Sequence, residues 1–275
     1  MHTAVIISTY NSPHALRQTL LGFLLQTHTN FEILVADDGS DGSTAAVLDE
    51  ETFSPLNLRH VWHEDRGFRL SAIRNRAIAQ TSADYIIFSD GDCVPREDFV
   101  ASHLRECRPG YFIAGGRVNI PEAIHSRWTD HDILSRRVFD PHFLGQSAPH
   151  LGKMGRRLRP QPAGLRRLWD LFTYRHCVFS GSNASAWRGD LERVNGFDEG
   201  FAGYGSEDRD IGIRLRNAGL RSRYLKYSLV QLHLDHTQSY YDPAIQAANR
   251  KRFRTRRRDR TVRIRCGLDG VLDRT

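Results

Sequence analysis

Apolar and polar positions alternate in blocks over the first 120 residues. Ala4-Val5-Ile6-Ile7 is a short apolar run that gives way to Ser8-Thr9-Tyr10-Asn11. From Pro13 to about Gln26 the apolar positions Leu16, Leu20, Phe23 and Leu24 recur at helical spacing, with Pro13 suited to a first helical turn. Phe31 to Ala36 predicts a second strand, ending in Asp37-Asp38-Gly39-Ser40. A short helix, a strand over Leu58–Trp62, a helix over Ser71–Ala79 and a strand over Tyr85–Ser89 complete the block. Repeated β-α units of this length predict an α/β fold with a doubly wound, mostly parallel twisted sheet flanked by helices. In such sheets ligands bind beyond the carboxyl ends of the strands, so the polar clusters after each strand converge on one cleft.

Residues 121–175 break the rhythm and read as a loop-rich insertion. Order is expected to resume near Cys177-Val178-Phe179. Glu207 to Ala218 reads as a helix with Gly219 at its C-terminal cap, and a strand follows over Arg223–Val230. The expected organisation is one domain over residues 1–245: a nucleotide-binding half (1–120), the insertion (121–175) and an acceptor half (176–245). A basic tail occupies 246–275.

The composition, 40% apolar and 26% charged, is that of a globular protein. No stretch reaches the length of a membrane span, and the N-terminal apolar run is too short for a signal peptide. Cys93, Cys107, Cys177 and Cys266 include no CxxC pair, which points away from a zinc site or disulfide framework and towards a cytoplasmic compartment. The net charge of +7 is concentrated in two blocks. One holds Lys153, Arg156, Arg157, Arg159, Arg166 and Arg167. The other carries seven arginines and a lysine between Arg250 and Arg260. A solvated helix face accounts for such blocks, as does a peripheral contact with an anionic inner-membrane surface. With only Phe253 inside the second block, no base-stacking platform is evident and no nucleic-acid partner is expected.

Asp90-Gly91-Asp92 carries the clearest chemistry. Two carboxylates at a strand's end are poor core residues, because burying unpaired charge costs several kcal/mol, to order of magnitude. A hard divalent cation, Mn²⁺ or Mg²⁺, would satisfy both and bring a phosphate with it. His233-Leu234-Asp235-His236 follows a late strand and can return to the same cleft with a further ligand, His236 preferred over His233. Glu207 and Asp208 open a helix, whose N-terminus favours their charge.

These motifs, in order, resemble family 2 glycosyltransferases of the GT-A fold: Val5 to Asn11, Leu34 to Ser40, Arg74-Asn75 and Asp90-Gly91-Asp92. Gly196-Phe197-Asp198-Glu199 followed by Gly203 to Asp208 resembles the C-terminal segment of β-galactosyltransferases and bacterial chondroitin-type polymerases. The resemblance covers roughly residues 3–240. It implies an inverting, metal-dependent hexosyltransferase taking a nucleotide-diphosphate sugar, UDP-sugar in the first instance. The acceptor would be a saccharide or lipid-linked glycan in bacterial surface polysaccharide synthesis, such as lipopolysaccharide.

By the same resemblance Thr9 and Tyr10 border the nucleobase. Asp38, or its neighbour Asp37, accepts the uracil N–H, a task that suits an acceptor-only carboxylate. Arg74 partners the diphosphate or the acidic cluster. Asp92 is the direct metal ligand, and Asp90 reaches the ribose or a metal-bound water, with Gly91 between them. Asp208 is the general base, while Glu207 and Gly205 meet the acceptor. Asp198 and Glu199 shape the acceptor loop, Trp187 is a core aromatic or a sugar platform, and Gly181-Ser182-Asn183 lines the donor site. Two other classes stand beside this one. A sugar-1-phosphate nucleotidyltransferase would need glycine and a base in the loop after the first strand, where Ser8 to Ser12 has neither. A non-catalytic nucleic-acid- or glycan-binding protein would have no use for acidic residues at every catalytic position.

Overall fold

The computed structural model describes residues 1–147, 157–158, 162–172, 179–236 and 242–272. Its centre is an eight-stranded sheet in the order β3-β2-β1-β4-β7-β6-β8-β5. The strands are β1 (Thr3–Thr9), β2 (Glu32–Asp37), β3 (Leu58–Trp62), β4 (Tyr85–Asp90), β5 (Cys93–Pro95), β6 (Tyr111–Ile120), β7 (Asn183–Trp187) and β8 (Arg221–Leu234). The first half is parallel as expected: β3 on β2, β2 on β1 and β1 on β4. The second half is mixed. β7 runs antiparallel to β4 and β6, β6 and β8 are parallel, and β5 is antiparallel to β8.

Every residue of β1 and β2 is buried. The continuous apolar runs follow from helices on both faces of a parallel sheet. Val5 and Ile7 enter one core with Leu16, Leu20 and Phe23 of the Pro13–Leu24 helix. Ala4 and Ile6 enter the opposite core with Ile73, Ala77 and Ile78 of the Leu70–Gln80 helix.

Two expectations change. Residues 121–147 are not mainly loop: the Glu122–His125, Asp130–Leu134 and Pro141–Ser147 helices occupy them, and Ile124, Trp128, Ile133, Val138 and Leu144 join the first core. Nor is 246–275 a detached tail. The Pro243–Arg258 helix packs on the Glu207–Asn217 helix, and Ile264 and Leu268 are buried beyond it. Cys177, Val178, Lys153, Arg156 and Arg159 lie outside the described residues.

Candidate active site

The carboxyl ends of the parallel strands open on a cavity of about 480 Å³. Ser8 to Ser12 line it after β1, Asp38 after β2, and Asp90, Gly91 and Asp92 after β4. Phe68, Leu70, Tyr204 and His236 close its sides. The Phe68 and Tyr204 rings meet edge to face, with centroids 6.3 Å apart, and so join the two halves of the chain. Gly91 lets the β4 turn ride on β1: its N–H donates to the Ser8 carbonyl at 2.7 Å, and an added Cβ would stand 3.0 Å from Thr9 Oγ1. That Thr9 hydroxyl is buried without a protein partner in the wall of the cavity, an atom a ligand would satisfy.

The two neighbouring aspartates separate cleanly. Asp38 faces the cavity, with Oδ1 2.7 Å from His63 Nε2 and Oδ2 accepting from the Arg69 N–H at 2.8 Å. Asp37 turns away from the cavity and is fully buried. It accepts from the Ser40 N–H at 2.8 Å and meets His60 Nε2 at 3.0 Å. Burial pushes the Asp37 carboxyl upward, but the His60 and Ser40 hydrogen bonds win and hold it below the usual range. A nucleobase contact for Asp37 is therefore withdrawn. Tyr10 is half exposed at the rim, its hydroxyl donating to Asp65 Oδ2 at 3.0 Å.

Arg74 is the hub, at 1% exposure. Its Nε donates to Ser8 Oγ at 2.9 Å, Nη2 to Asp90 Oδ1 at 3.0 Å and Nη1 to Asp208 Oδ1 at 2.8 Å. Of the two partners that the sequence left open for this arginine, the diphosphate and the acidic cluster, its hydrogen bonds here reach the cluster. The other oxygen of Asp208 accepts from the Gly181 N–H at 2.7 Å. A side chain at Gly181 would fall 2.3 Å from the Arg74 guanidinium, so glycine is required there. Burial lifts the Asp90 carboxyl to about 7, against the pull of Arg74 and with help from Asp92 and Asp208. Glu207 is likewise lifted to about 7 by burial and then by Asp208, while its Oε2 accepts from the Gly205 N–H at 2.8 Å.

Asp92, His233 and His236 come together. Asp92 Oδ2 lies 3.1 Å from His236 Nε2 and 3.5 Å from His233 Nε2. One ligand atom from each of the three residues falls within 4.8 Å of the others. Both histidines thus reach Asp92, not His236 alone. β5 pairs with β8 so that Cys93 stands opposite His233, which brings the late strand back to the first acidic motif. His233 Nδ1 meets Asp235 Oδ1 at 3.2 Å, turning Nε2 towards Asp92. Burial lowers the pKa of His233, favouring the neutral imidazole that a metal requires. Burial pushes the Asp92 carboxyl upward, but hydrogen bonds, led by that of His236 and joined by that of the Cys93 thiol, keep it below its ordinary range. One carboxylate and two imidazoles are a donor set that fits a divalent cation. Cys93 also adjoins Asp90 and Asp92, but burial holds its thiol far above the usual range and makes it a poor ligand.

Trp187 does not belong to the site. It pairs with Tyr85 at the start of β4, while Ser89 at the cleft end pairs with Asn183. Four residues of strand, roughly 13 Å, separate the two ends. Its ring packs on Tyr85 at 5.2 Å. Asn183 is interior as well: its amide donates to the Gly116 carbonyl at 2.9 Å, and His103 Nε2 meets its Oδ1 at 3.2 Å. Sequence reasoning placed Ser8 in the cleft and Tyr204 in a motif without giving either a role, and it missed Phe68 and Arg117. Arg117, exposed on β6, adds positive charge beside Asp90 and His233. Only the register of β6 on β8, opposite Gln231, brings it there.

Fold and site together define a GT-A glycosyltransferase architecture. The family model described as Glycosyl transferase family 2 matches residues 4–181, more than half of the chain, and the protein belongs to that family. A second model, described as N-terminal domain of galactosyltransferase, matches residues 172–238. The uncharacterized glycosyltransferase YfnE of Bacillus subtilis (strain 168) is 27% identical over 271 residues, covering 86% of this chain and 65% of the relative. A chondroitin synthase of Escherichia coli is 28% identical, covering 78% of this chain and 32% of its own. The chain thus spans less than two thirds of the length of either relative. Among solved structures, the mannosyltransferase PcManGT from Pyrobaculum calidifontis, in complex with GDP-Man and Mn²⁺, superposes with a TM-score of 0.59 at 18% identity. That match covers 87% of this chain and 58% of the mannosyltransferase.

Proposed function

We propose that the protein transfers a sugar, with inversion, from a nucleoside-diphosphate sugar to a hydroxyl of a saccharide or lipid-linked glycan. The observation that carries this reading is the convergence of Thr9, Asp38, Asp90, Asp92 and His236 on one cavity, with Asp208 joined to Asp90 through Arg74. Asp38 accepts an N–H of the base, for which uracil is our first choice. Asp92, His233 and His236 would hold Mn²⁺, which when bound neutralises charge developing on the leaving diphosphate. Asp208 takes the proton of the acceptor hydroxyl as that oxygen attacks the anomeric carbon. The bond from the anomeric carbon to the phosphate oxygen breaks with its electron pair, and the nucleoside diphosphate departs. Glu207, behind Asp208, accepts a hydrogen bond from the acceptor. A second reading makes Glu207 the base, because burial brings its carboxyl to about 7. A chondroitin synthase is among the relatives; as the setting for this chain we propose surface polysaccharide assembly, where a lipid-linked acceptor would bring the enzyme to the inner membrane face.

Calorimetry tests the donor site directly. UDP is expected to bind with Mn²⁺ and to lose most of that metal-dependent affinity in Asp92→Asn, with the circular dichroism spectrum unchanged. GDP, run beside it, decides the base. Equal UDP affinity in wild type and variant would remove Asp92 from the metal site.

A further inference from the structure

The Ala163–Phe172 helix is mounted with its polar side towards the protein. Arg166 Nη2 donates to Asp98 Oδ2 at 2.8 Å, and Arg167 Nε lies 2.7 Å from Glu106 Oε1. Asp170 is buried and accepts from the backbone N–H groups of Tyr227 at 2.8 Å and Ser228 at 3.0 Å. These contacts come from positions 166, 167 and 170. The stripe at 165, 168, 169 and 172, one face at helical spacing, points the other way. Leu165 is 40% exposed, Leu168 48%, Trp169 47%, Leu171 72% and Phe172 76%. A surface helix of a globular protein normally shows the reverse arrangement. Five large apolar residues on ten positions make an exposed patch that marks a contact surface.

The setting of the patch identifies its partner. Glu106 is shared by Arg105, Arg167 and Arg223, and Asp98 by Arg96 and Arg166. Lys226 stands over the Tyr227 ring, which itself lies 6.4 Å from Trp169. Among the described residues, six cations thus stand with three carboxylates, Asp98, Glu106 and Asp170, an excess of three positive charges, and the adjoining Glu97 is paired with Arg136. An apolar stripe with an indole, framed by cations, complements the acyl boundary and anionic headgroups of a bilayer. We infer that this helix is the membrane-docking element, lying in the interface of an anionic leaflet with Leu165, Leu168, Trp169, Leu171 and Phe172 inserted. This deepens the membrane setting suggested above, but docking requires no turnover, so the two stand or fall separately. The Arg250–Arg260 block is a weaker candidate, because Arg252 and Arg256 are bound to Asp198.

The test is sedimentation of the full chain with vesicles of phosphatidylglycerol and phosphatidylcholine in equal parts. Leu168→Ser/Phe172→Ser alters only exposed side chains, so folding is spared. It should weaken partitioning by more than about tenfold, since each large apolar side chain withheld from the bilayer is worth on the order of that factor. Arg254→Gln/Arg257→Gln/Arg258→Gln should retain most of the binding. Tryptophan emission should shift to the blue on vesicle addition, and Trp169→Phe should remove the shift. Wild type that ignores anionic vesicles, or binds pure phosphatidylcholine equally, overturns the inference. So does a serine variant that binds like wild type. A wild-type dimer that the serine variant dissociates, without vesicle binding in either, would make this face a contact between copies instead.

Discussion

Arg74 shows how one residue sets the chemistry. A guanidinium at 1% exposure is tolerable only with its charge matched, and Asp90 and Asp208 match it from two different elements. It thereby fixes the distance between the end of β4 and the start of the Glu207–Asn217 helix. Asp208 and Glu207 then differ in kind. Asp208 is 27% exposed and oriented by Arg74 and Gly181; Glu207 is buried with a raised pKa. Asp208→Asn is expected to lower turnover about 10²–10⁴-fold at every pH, the span of general-base catalysis, with donor affinity nearly unchanged. Wild-type activity should fall as pH drops through about 7, where Glu207 and Asp90 both take up protons, and Glu207→Gln should remove the Glu207 share of that limb, making it shallower, while keeping measurable turnover. Initial rates from pH 5.5 to 9 check both. Loss of all turnover in Glu207→Gln, with activity retained in Asp208→Asn, would make Glu207 the base. The acidic motifs were legible in the sequence because charge at strand ends demands a partner. The division of labour between Asp37 and Asp38 was not, since it depends on which way a turn points each side chain.

At the level of elements, the parallel half was readable, whereas of the mixed half only β8, expected over Arg223–Val230, and the helix before it were. Strands β1 to β4 announce themselves by apolar runs between helical periods. β6 contains Gly115-Gly116, which reads as a turn. The structure uses those glycines for close packing: a Cβ on Gly115 would strike Asn183, and one on Gly116 would lie 2.8 Å from the Lys226 carbonyl. β7 reads Asn-Ala-Ser-Ala-Trp, too small and polar to look like a central strand. Its polar groups are answered by the Phe99–Glu106 helix, where His103 Nδ1 meets Ser185 Oγ at 2.8 Å and Nε2 meets Asn183. Burial pushes the His103 imidazole down to about 3, partly offset by Asn183. The unfolded chain therefore binds a proton below about 6.5 that the folded chain refuses. The His103 contribution is full above that pH and is lost as pH falls from 6.5 towards 3, by about 1.4 kcal/mol per pH unit. Asp90 and Glu207, both raised to about 7, act in the opposite sense over the same range, so wild type alone does not isolate the effect. Urea titrations at pH 6.5 and 5 on wild type and His103→Gln do. The variant, though less stable overall, should lose less stability on acidification. Parallel losses would show that His103 is not held neutral.

Over the whole molecule, the Pro243–Arg258 helix is a brace for the loop before Glu207 and Asp208, the side we propose for the acceptor. Asp198, 1% exposed, takes Arg252 Nη2 and Arg256 Nη2, each at 2.9 Å. Gln246 Nε2 donates to the Tyr204 carbonyl at 3.2 Å, and Asn249 Nδ2 to the Ala202 carbonyl at 2.9 Å. Between them runs the loop that delivers Glu207 and Asp208, with Gly203, Gly205 and Ser206 all at positive φ. A backbone in that region, Ser206 above all, needs outside support. The sequence displays Arg252 and Arg256 as part of a surface charge run, because nothing local reveals Asp198, more than fifty residues earlier, as their partner. Removing both cations in Arg252→Ala/Arg256→Ala strands a buried carboxylate. Breaking a buried pair costs about 3–5 kcal/mol; with water able to reach these half-exposed arginines, we expect about 2–3 kcal/mol of lost stability. The functional consequence should be one-sided. Donor affinity, built on β1, β2 and β4, should hold, while the acceptor KM rises as the loop loosens. Arg252→Lys/Arg256→Lys keeps the charge and should recover most of the stability. Donor calorimetry beside acceptor-dependent rates separates the outcomes, and an equal loss on both sides would mean that the helix supports the fold at large rather than the acceptor loop.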